Sequence, residues 1–590
     1  MPTDGGAASK ERDLPGAEGD LPGVDADPAG RSADPAGAAT DRTGTAGDPV
    51  GATADPVGAA PGGHAVARRR HPRRRGRAGR AFAVAFTLSF VAMAAWSMAT
   101  PLFASPDEPV HVIKAAAVVR GELVGDLVGG STDPTATVHV PAFYAGTRNI
   151  PACYHRQPTI PASCAPIATG GATVKAVDIY NARYPPLYYA IVGLPSLLGT
   201  SDAELYLMRL VSALLSSLFV AAAVATAVAW SRSRLVVAGV VVATTPMVLF
   251  TGAVVNPVGL EASAGIAVWT AGAVLVFEHL DDPPPGLVAV LGASACVLEL
   301  VRALSPFWLA LTALVLVGLC DFRRLRGFVS SRPVQVGLAA VTVVGLAAVA
   351  WILKEHAFDV YSTTPVGYSV PESTILETSF SHNNFYLADM IGVFGWFDTY
   401  APTFTYVAWY AMVGFVTLAA AAVGRLRQAL VLLAFAVAIV VVPVAISTSQ
   451  VHRYGFTWAG KDTLVFAVGL PIVSAAVVGT STLGRHRARI VGTVGLLALL
   501  AQVAAFFEML RRYAVGTAGP DFGFLAHPIW HPPVSLPGVL AVETAALAGF
   551  VVLAYLVARG GGDPAPPGMP TGGAAGPRAG GPREPRAGAH

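Results

Sequence analysis

Charged side chains are scarce in this chain of 590 residues: only 13% are Asp, Glu, Lys or Arg, whereas 53% are hydrophobic. This balance excludes the string of soluble domains that the length alone would suggest. Nucleotide-binding and hydrolase signatures are also missing, since no Walker loop, GxGxxG, HExxH or serine elbow occurs in a credible context. Chemistry driven by a soluble nucleotide is therefore not expected.

Cysteine is nearly absent, with four residues in the whole chain. Cys153 and Cys164 share one polar segment, Cys296 and Cys320 lie within apolar runs, and no CxxC pair or Cys/His metal spacing is present. If the polar segment faces an oxidising compartment, Cys153 and Cys164 are expected to form a disulfide. Two free thiols are the alternative that the sequence leaves open.

Apolar runs of about 20 residues, the length that crosses a bilayer, are abundant. They predict an all-α fold, a polytopic transmembrane helical bundle of about twelve spans over residues 81–558. The predicted spans are residues 81–104, 203–230, 235–254, 258–280, 286–303, 305–321, 334–354, 403–423, 429–447, 463–480, 490–510 and 538–558. The first outer loop, 105–184, is expected to contain interfacial helices. Residues 185–200 carry three prolines, so we interpret them as a short helix in the outer interface.

The tails differ from the spans in composition. Residues 1–67 and 559–590 are rich in Gly, Pro and Ala, and we expect both to be disordered. Residues 68–80 are a basic juxtamembrane segment, which favours a cytoplasmic anchor on anionic lipid over a nucleic-acid site. With twelve spans the later arginine clusters fall on the same side. The sequence therefore predicts a plasma-membrane protein with both termini in the cytoplasm, at the cost of leaving Arg511 and Arg512 outside.

Two adjacent acids, Asp107 and Glu108, follow the first span directly and begin a predicted short helix that ends at Gly121. Helical spacing places His111 close to both of them. One carboxylate could act as a general base or a metal ligand, with His111 orienting it or binding phosphate. The alternative is that both acids merely cap the helix and favour its dipole.

Three further groups lie at the outer ends of later spans. Glu261, in the segment that starts at Asn256, would be one turn inside the boundary, where a charge requires a partner. Arg302 could bind a phosphate or pair with Glu261. Arg453 and Lys461 belong to a cationic and aromatic stretch that suits an anionic head group or a sugar, or else an interfacial belt.

These residues resemble a widespread bacterial family of uncharacterised multi-pass membrane proteins. The resemblance covers roughly residues 80–558, and its most specific part is the DEPxH stretch. The motifs that carry it are Pro106-Asp-Glu-Pro-x-His111, Gly121-x-Leu123, Tyr184-Pro-Pro-Leu-Tyr-Tyr189, Asn256-Pro-x-Gly-Leu-Glu261, Arg302-Ala-Leu-Ser-Pro-Phe-Trp308, Gly392-x-Phe-Gly-Trp-Phe-Asp398 and Trp458-Ala-Gly-Lys-Asp-Thr463. Where members tend to have Gly-Arg-Tyr, this chain has Gly460-Lys461-Asp462, so the cation is kept and the aromatic residue is lost.

That family is in turn similar to the GT-C glycosyltransferases, which use polyprenyl-phosphate sugars and carry an acidic motif in the first extracytoplasmic loop. The resemblance implies a transferase acting on cell-envelope glycans, with a lipid-linked sugar donor, a glycan acceptor, and membrane lipid as surroundings. In it Asp107 and Glu108 would be catalytic. The implied substrate-binding residues are His111, Tyr184, Asn256, Glu261, Arg302, Arg453 and Lys461.

Within this reaction a divalent metal ion could bridge Asp107, Glu108 and Glu261. Two alternatives to the reaction stay open. A transporter or flippase of lipid-linked glycans would use the same charged groups without bond chemistry. A non-catalytic partner in envelope assembly is the second. No nucleic-acid partner is expected.

Overall fold

The chain folds almost entirely into helices, as its apolar runs predict, because a helix satisfies its own backbone polar groups within hydrocarbon. The computed structural model describes residues 71–128, 135–278, 280, 282–358 and 371–562, without the side chains of residues 71–75, 453 and 454. The predicted disorder of residues 1–67 lies outside this range, as does that of the C-terminal tail beyond residue 562. The basic segment 68–80 is helical from His71 onwards.

The helices are, in chain order, α1 (His71–Ala99), α2 (Glu108–Val118), α3 (Ala142–Ala145), α4 (Leu187–Val192), α5 (Asp202–Trp230), α6 (Val236–Ala243), α7 (Pro246–Ala253), α8 (Pro257–Phe277), α9 (Pro285–Glu299), α10 (Ser305–Leu319), α11 (Phe322–Ser330), α12 (Arg332–Lys354), α13 (Glu372–Ser381), α14 (Asn383–Gly392), α15 (Thr403–Val423), α16 (Leu426–Tyr454), α17 (Leu464–Ala467), α18 (Gly469–Gly479), α19 (Arg487–Val515) and α20 (Leu536–Arg559). The strands are β1 (Asp126–Leu127), β2 (Ala136–Pro141), β3 (Val174–Ile179), β4 (Val393–Phe394) and β5 (Thr399–Tyr400).

Every predicted span coincides with apolar helix, although the helices differ in length. Among the described residues, eight helical segments are long and apolar enough to cross a membrane, and the bent pair α6–α7 brings this to nine. Three predicted spans coincide with shorter apolar helices, namely α9, α10 and the combined α17–α18. An all-α, multi-pass membrane fold is confirmed, while the count of twelve spans stays a prediction.

The bend between α6 and α7 measures 60° and follows from Pro246, which has no N–H to continue the helix. Gln502 of α19 donates to the carbonyl of Thr244 (2.7 Å), which satisfies a backbone oxygen at the break. The Thr245 hydroxyl donates to the carbonyl of Met390 at the end of α14 (2.9 Å). The bend is therefore a fixed feature, tied to a second helix and to the 355–402 loop.

Helix α8 is the centre of the bundle, since 94% of its apolar window is buried, whereas α12 is peripheral with 11% buried. Helix α1 packs against α5, α7 and α20, and α8 packs against α5, α9 and α18. The outer ends of α1 and α8 are consequently neighbours. This is where the first outer loop meets the rest of the protein.

The first outer loop is only partly as predicted. It contains the short helices α2 and α3, but also an antiparallel sheet in the order β1-β2-β3, with Ala136 opposite Ile179 and Pro141 opposite Val174. The sheet is an addition to the interfacial helices that the sequence predicts. Its signal was the alternation of Val138 and Val140 with polar neighbours, which is the period of a strand. Residues 185–200 form α4 and a 3-10 turn (Leu194–Leu197), both too short to span a bilayer.

Of the two states left open for the loop cysteines, the structure has the disulfide. Cys153 and Cys164 are bonded, with their Cα atoms 6.0 Å apart. Within the loop that they close, the carbonyls of Tyr154, Gln157 and Ile160 accept hydrogen bonds from the Arg512 guanidinium. Arg512 thus joins the disulfide-closed part of the first outer loop to the end of α19.

Candidate functional site

Asp107 lies at the turn between α1 and α2, in a left-handed backbone conformation (φ 65°). Its side chain makes no capping hydrogen bond to α2. Instead the Tyr180 hydroxyl donates to Asp107 Oδ1 (2.6 Å), and the Lys461 ammonium lies 3.5 Å from Oδ2. The side chain is 39% exposed. The carboxylate therefore faces an open space between the first loop and the turn of Lys461, and helix capping does not account for it.

The charge state of Asp107 follows from this setting. Burial of the carboxyl acts to raise its pKa, but the positive charge of Lys461 and the hydrogen bond from Tyr180 outweigh it, so the pKa lies below the ordinary value. Tyr180 responds in the opposite sense, since burial and the neighbouring Asp107 charge raise the pKa of its phenol. Near neutral pH the pair is a carboxylate held by a neutral phenol.

Glu108, although adjacent, has different surroundings. Both of its oxygens are bonded by the Arg209 guanidinium, at 2.7 Å and 2.6 Å, and both partners' side chains are 1% exposed. The backbone N–H groups of Phe103 and Val255 also donate to it, at 3.0 Å and 3.1 Å. Glu108 thus ties α1, α2, α5 and the turn before α8 together, and it has little capacity left for a substrate.

His111 lies one turn further along α2 and is buried. Its Nδ1 is 2.8 Å from the Tyr189 hydroxyl and 2.9 Å from Asn181 Nδ2. Burial lowers the pKa of the imidazole to about 3, against the opposing effect of the Asp107 charge. Because the Asn181 amide donates to Nδ1, the proton of the neutral ring belongs on Nε2. His111 is thus a neutral hydrogen-bond donor and not a cation.

Lys461 occupies a 3-10 turn, Gly460–Asp462, which follows α16. Its backbone N–H donates to Oδ2 of the buried Asp389 (2.9 Å), and its ammonium lies over the ring of Phe397, 5.1 Å from the centroid. The ammonium is 3.5 Å from Asp107. Asp107 and Lys461, which the sequence analysis named separately as site residues, are therefore brought together although most of the chain lies between them in sequence.

Arg302 joins the same turn to α8. Its guanidinium donates to Glu261 Oε2 (3.0 Å) and to Asp462 Oδ1 (2.7 Å). Ser305 donates to the other Glu261 oxygen (2.7 Å), so the buried Glu261 has the partners that its position requires. Tyr184 also hydrogen-bonds Arg302. Of the sequence alternatives for Arg302, pairing with Glu261 is present, and one guanidinium edge extends to the turn of Lys461.

Asn256 caps α8, with its Oδ1 accepting from Val258 N (3.0 Å), and its Nδ2 donates to the carbonyl of Pro106 (3.3 Å). It thereby fixes the turn that carries Asp107 to the end of α8. Arg453 is on α16, but its side chain lies outside the described residues. Its predicted contact with a substrate stays a prediction.

The carboxylates proposed as metal ligands are not gathered around one point. No group of three or more His, Cys, Asp or Glu side chains suited to a metal occurs in the part of the chain that the structure describes. Asp107, Glu108 and Glu261 are each engaged by a separate cation, namely Lys461, Arg209 and Arg302. This donor set does not fit a bridging metal ion.

Comparison with known proteins identifies the family. Residues 90–460 match the family described as predicted membrane protein (DUF2142), which is more than half of the chain. The chain belongs to the DUF2142 family. The match includes Asp107, His111, Glu261 and Arg302, and it ends one residue before Lys461. No curated protein matches the sequence.

Two solved structures of ArnT from Cupriavidus metallidurans are similar to this DUF2142 protein at low levels. The apo structure is 14% identical, with a TM-score of 0.35 over 76% of this chain and 74% of ArnT. The structure bound to undecaprenyl phosphate is 13% identical, with a TM-score of 0.33 over 76% of each chain. We base no conclusion about the site on these values.

Four residues of the site escape the sequence analysis as site residues: Tyr180, Arg209, Asp389 and Asp462. Arg209 had a signal, since a charge inside a predicted span requires a partner. Asp462 was visible beside Lys461, and only its contact with Arg302 was missing. Tyr180 follows β3, and Asp389 is on α14 in the segment predicted as a loop. Neither has a distinctive sequence pattern, and only the folded structure shows their contacts.

Proposed function

We propose that this membrane protein transfers a sugar from a polyprenyl-phosphate donor to a cell-envelope glycan at the extracytoplasmic face, with Asp107 as the general base. The observation that carries the proposal is the contrast between the two adjacent acids. Both oxygens of Glu108 are bonded by Arg209, whereas Asp107 is ionised, partly exposed and, among the described residues, bound by the side chains of Tyr180 and Lys461. An exposed base set among buried ion pairs is what proton abstraction from an acceptor requires.

In the proposed reaction the Asp107 carboxylate takes the proton of an acceptor hydroxyl, and the hydroxyl oxygen attacks the anomeric carbon of the donor sugar. The bond from that carbon to the phosphate oxygen breaks, and the polyprenyl phosphate leaves with the electron pair. Lys461 and Arg302 stabilise the phosphate as its charge develops. Neutral His111 supplies a hydrogen-bond donor beside Asp107.

Lys461 couples donor binding to the strength of the base. In the structure its ammonium faces Asp107 and helps to hold the pKa of that carboxyl low. A donor phosphate near Lys461 would compete for the same positive charge and make Asp107 a stronger proton acceptor. The base would thus be activated only when the donor is in place, which limits hydrolysis of the donor by water.

The orientation of the bundle is part of the proposal. Arg232, Arg487 and the end of α20 meet at one end of the bundle, where Gly562 N donates to the Arg232 carbonyl (2.9 Å) and Arg487 Nε donates to the Ala558 carbonyl (3.0 Å). This concentration of arginines supports a cytoplasmic position for that end and for the C-terminus, in the plasma membrane. The site with Asp107 lies at the other ends of these spans.

Asp107→Asn tests the assignment. Asn tolerates a left-handed backbone as well as Asp does, so the fold should persist while the base is lost, and transfer should fall about 10²–10⁴-fold. The measurement is release of labelled sugar from a polyprenyl-phosphate sugar by purified protein in detergent. Asp126→Asn, which removes an exposed acid of the same loop, is the matched control and should retain full activity.

Normal transfer by Asp107→Asn would refute the role of Asp107. The rival function, a transporter of lipid-linked glycans, uses the same charged groups but breaks no glycosidic bond. It predicts no sugar release by wild-type protein in detergent, together with movement of the labelled lipid across proteoliposomes.

A further inference from the structure

Asp389, on α14, is a buried acid that the proposed reaction does not use. It is 0% exposed. Its Oδ2 accepts from the backbone N–H of Lys461 (2.9 Å), and the N–H of Gly460 also contributes. Its Oδ1 has no hydrogen-bond partner among the described residues. A buried carboxylate oxygen without a partner is costly when charged, so this atom is suited to carry a proton.

Helix α14 and the Gly460–Asp462 turn approach so closely that no side chain fits on Gly460. A Cβ atom on Gly460 would lie 2.0 Å from the carbonyl oxygen of Tyr386 and 2.9 Å from the Cβ of Asp389. Only glycine fits at this approach. The turn and α14 therefore form one unit, and Asp389 determines where Lys461 and Asp462 lie relative to Asp107 and Arg302.

The groups facing Asp389 come from two elements. Lys461 and Asp462 interact with it from the turn, and Tyr406 from α15. Helix α7, which also packs on α14, carries no titratable residue. The acids of α13, Glu372 and Glu377, are exposed.

Burial is the dominant effect on Asp389 and raises its pKa to about 7, with donation from Lys461 N and the charge of Lys461 opposing it. The ordinary pKa of an aspartate side chain is 3.8. Asp389 is consequently neutral below about pH 7 and negative above it. When negative, it adds a charge beside Lys461 that repels an anionic ligand.

We propose that Asp389 is a positioning residue of this site, and that its protonation controls how strongly Lys461 and Arg302 bind a phosphate head group. The inference rests on the proposed function for the identity of the ligand. Asp389 holds the turn through backbone N–H groups in both states, and the proton on Oδ1 sets the local charge. Phosphate should therefore bind more tightly with Asp389 neutral.

The test compares wild-type protein with Asp389→Asn, which keeps an acceptor for Lys461 N but cannot become negative. Binding of undecaprenyl phosphate to full-length protein in micelles is measured at about pH 6 and about pH 8, a range that brackets the transition. The ratio of the wild-type Kd to the Asp389→Asn Kd should rise about tenfold between the two values, because a nearby charge of one sign is added only in wild type. Titration of the probe itself cancels in the ratio.

Glu543→Gln is the matched control, since Glu543 is also a buried acid with one oxygen that has no partner in the described part of the chain, but on α20 beside Trp96. The ratio of the wild-type Kd to the Glu543→Gln Kd should not change with pH. Inorganic phosphate, used as a competitor, shows whether the phosphate group or the lipid is responsible. The same pH-dependent change in the Kd ratio for both probes assigns the effect to the phosphate group. A change in the ratio that occurs for undecaprenyl phosphate alone would contradict that assignment.

Two results would overturn the inference. One is a ratio of wild-type Kd to Asp389→Asn Kd that stays constant with pH, although the wild-type protein binds undecaprenyl phosphate. The other is a complete lack of phosphate binding. Binding with the expected ratio but without sugar transfer would instead refute the proposed reaction and leave Asp389 as the regulator of an anion site.

Discussion

Glu108 and Arg209 are separated by 101 residues in the sequence and form a two-point ion pair with 1% exposure on each side. Arg209 also donates to the carbonyls of Ser97, Thr100 and Pro101 at the end of α1. The Arg209 guanidinium thus holds the end of the first span, and the Glu108 carboxylate holds the start of the first loop. Glu108, the acid next to the candidate base Asp107, therefore stabilises the fold.

Glu108→Gln should therefore destabilise the protein without being required for the chemistry directly. Removing one partner leaves the Arg209 charge buried and uncompensated, which costs about 3–5 kcal/mol. Thermal unfolding in detergent measures the loss. Glu122→Gln, at an exposed pair with His139, should change stability by less than about 1 kcal/mol. An unchanged unfolding temperature for Glu108→Gln would contradict the role of Glu108 in stabilising the fold.

Glu261→Gln tests the second ion pair at a site where the fold should survive. Gln can still accept from Ser305, but Arg302 loses one of its two acidic partners. We expect normal expression and insertion, with sugar transfer reduced by about 10²-fold because the guanidinium that we propose to bind phosphate is displaced. Glu299→Gln, a buried acid at the end of α9, should behave as wild type. Full transfer by Glu261→Gln would mean that Glu261 is a tolerated buried acid.

The disulfide and Arg512 should act as one unit, because all three carbonyls that bond Arg512 lie between Cys153 and Cys164. Replacing both cysteines by Ala should cost about 2–4 kcal/mol. Adding Arg512→Met should cost less than the sum of the two changes, with a coupling of about 0.5–3 kcal/mol. Chemical unfolding of the four species measures it. Arg511→Met, whose main partner is Glu508, should be additive with cysteine removal.

The sequence was sufficient for the helices because each apolar run is a local signal, and the observed bounds of α5 and α15 differ from the predicted ones by at most one residue. It also located Asp107, Glu261, Arg302 and Lys461, since charges at span ends are rare. The sequence did not show which of these charged side chains contact each other. The contact of Arg302 with Asp462 joins residues 160 apart, and only packing decides it.

The sheet β1–β3 and the burial of Asp389 were also not predicted from the sequence. The sheet β1–β3 was overlooked because short polar strands in a loop give a weak signal beside long apolar helices. Asp389 was overlooked because a single acid in a loop is most often solvated. Its burial arises from the turn at Gly460, 71 residues later in the chain.

The bend between α6 and α7 has a consequence for the position of Lys461. Helix α7 has eight residues, which at about 1.5 Å per residue amounts to about 12 Å, and Met390 is bonded to Thr245 at its inner end. Asp389, the neighbour of Met390, accepts from the backbone N–H of Lys461, whose ammonium faces Asp107. A change of the bend angle would consequently be passed through α14 to the Lys461 turn, so that a proline inside the bundle sets the distance between two charges of the outer loops.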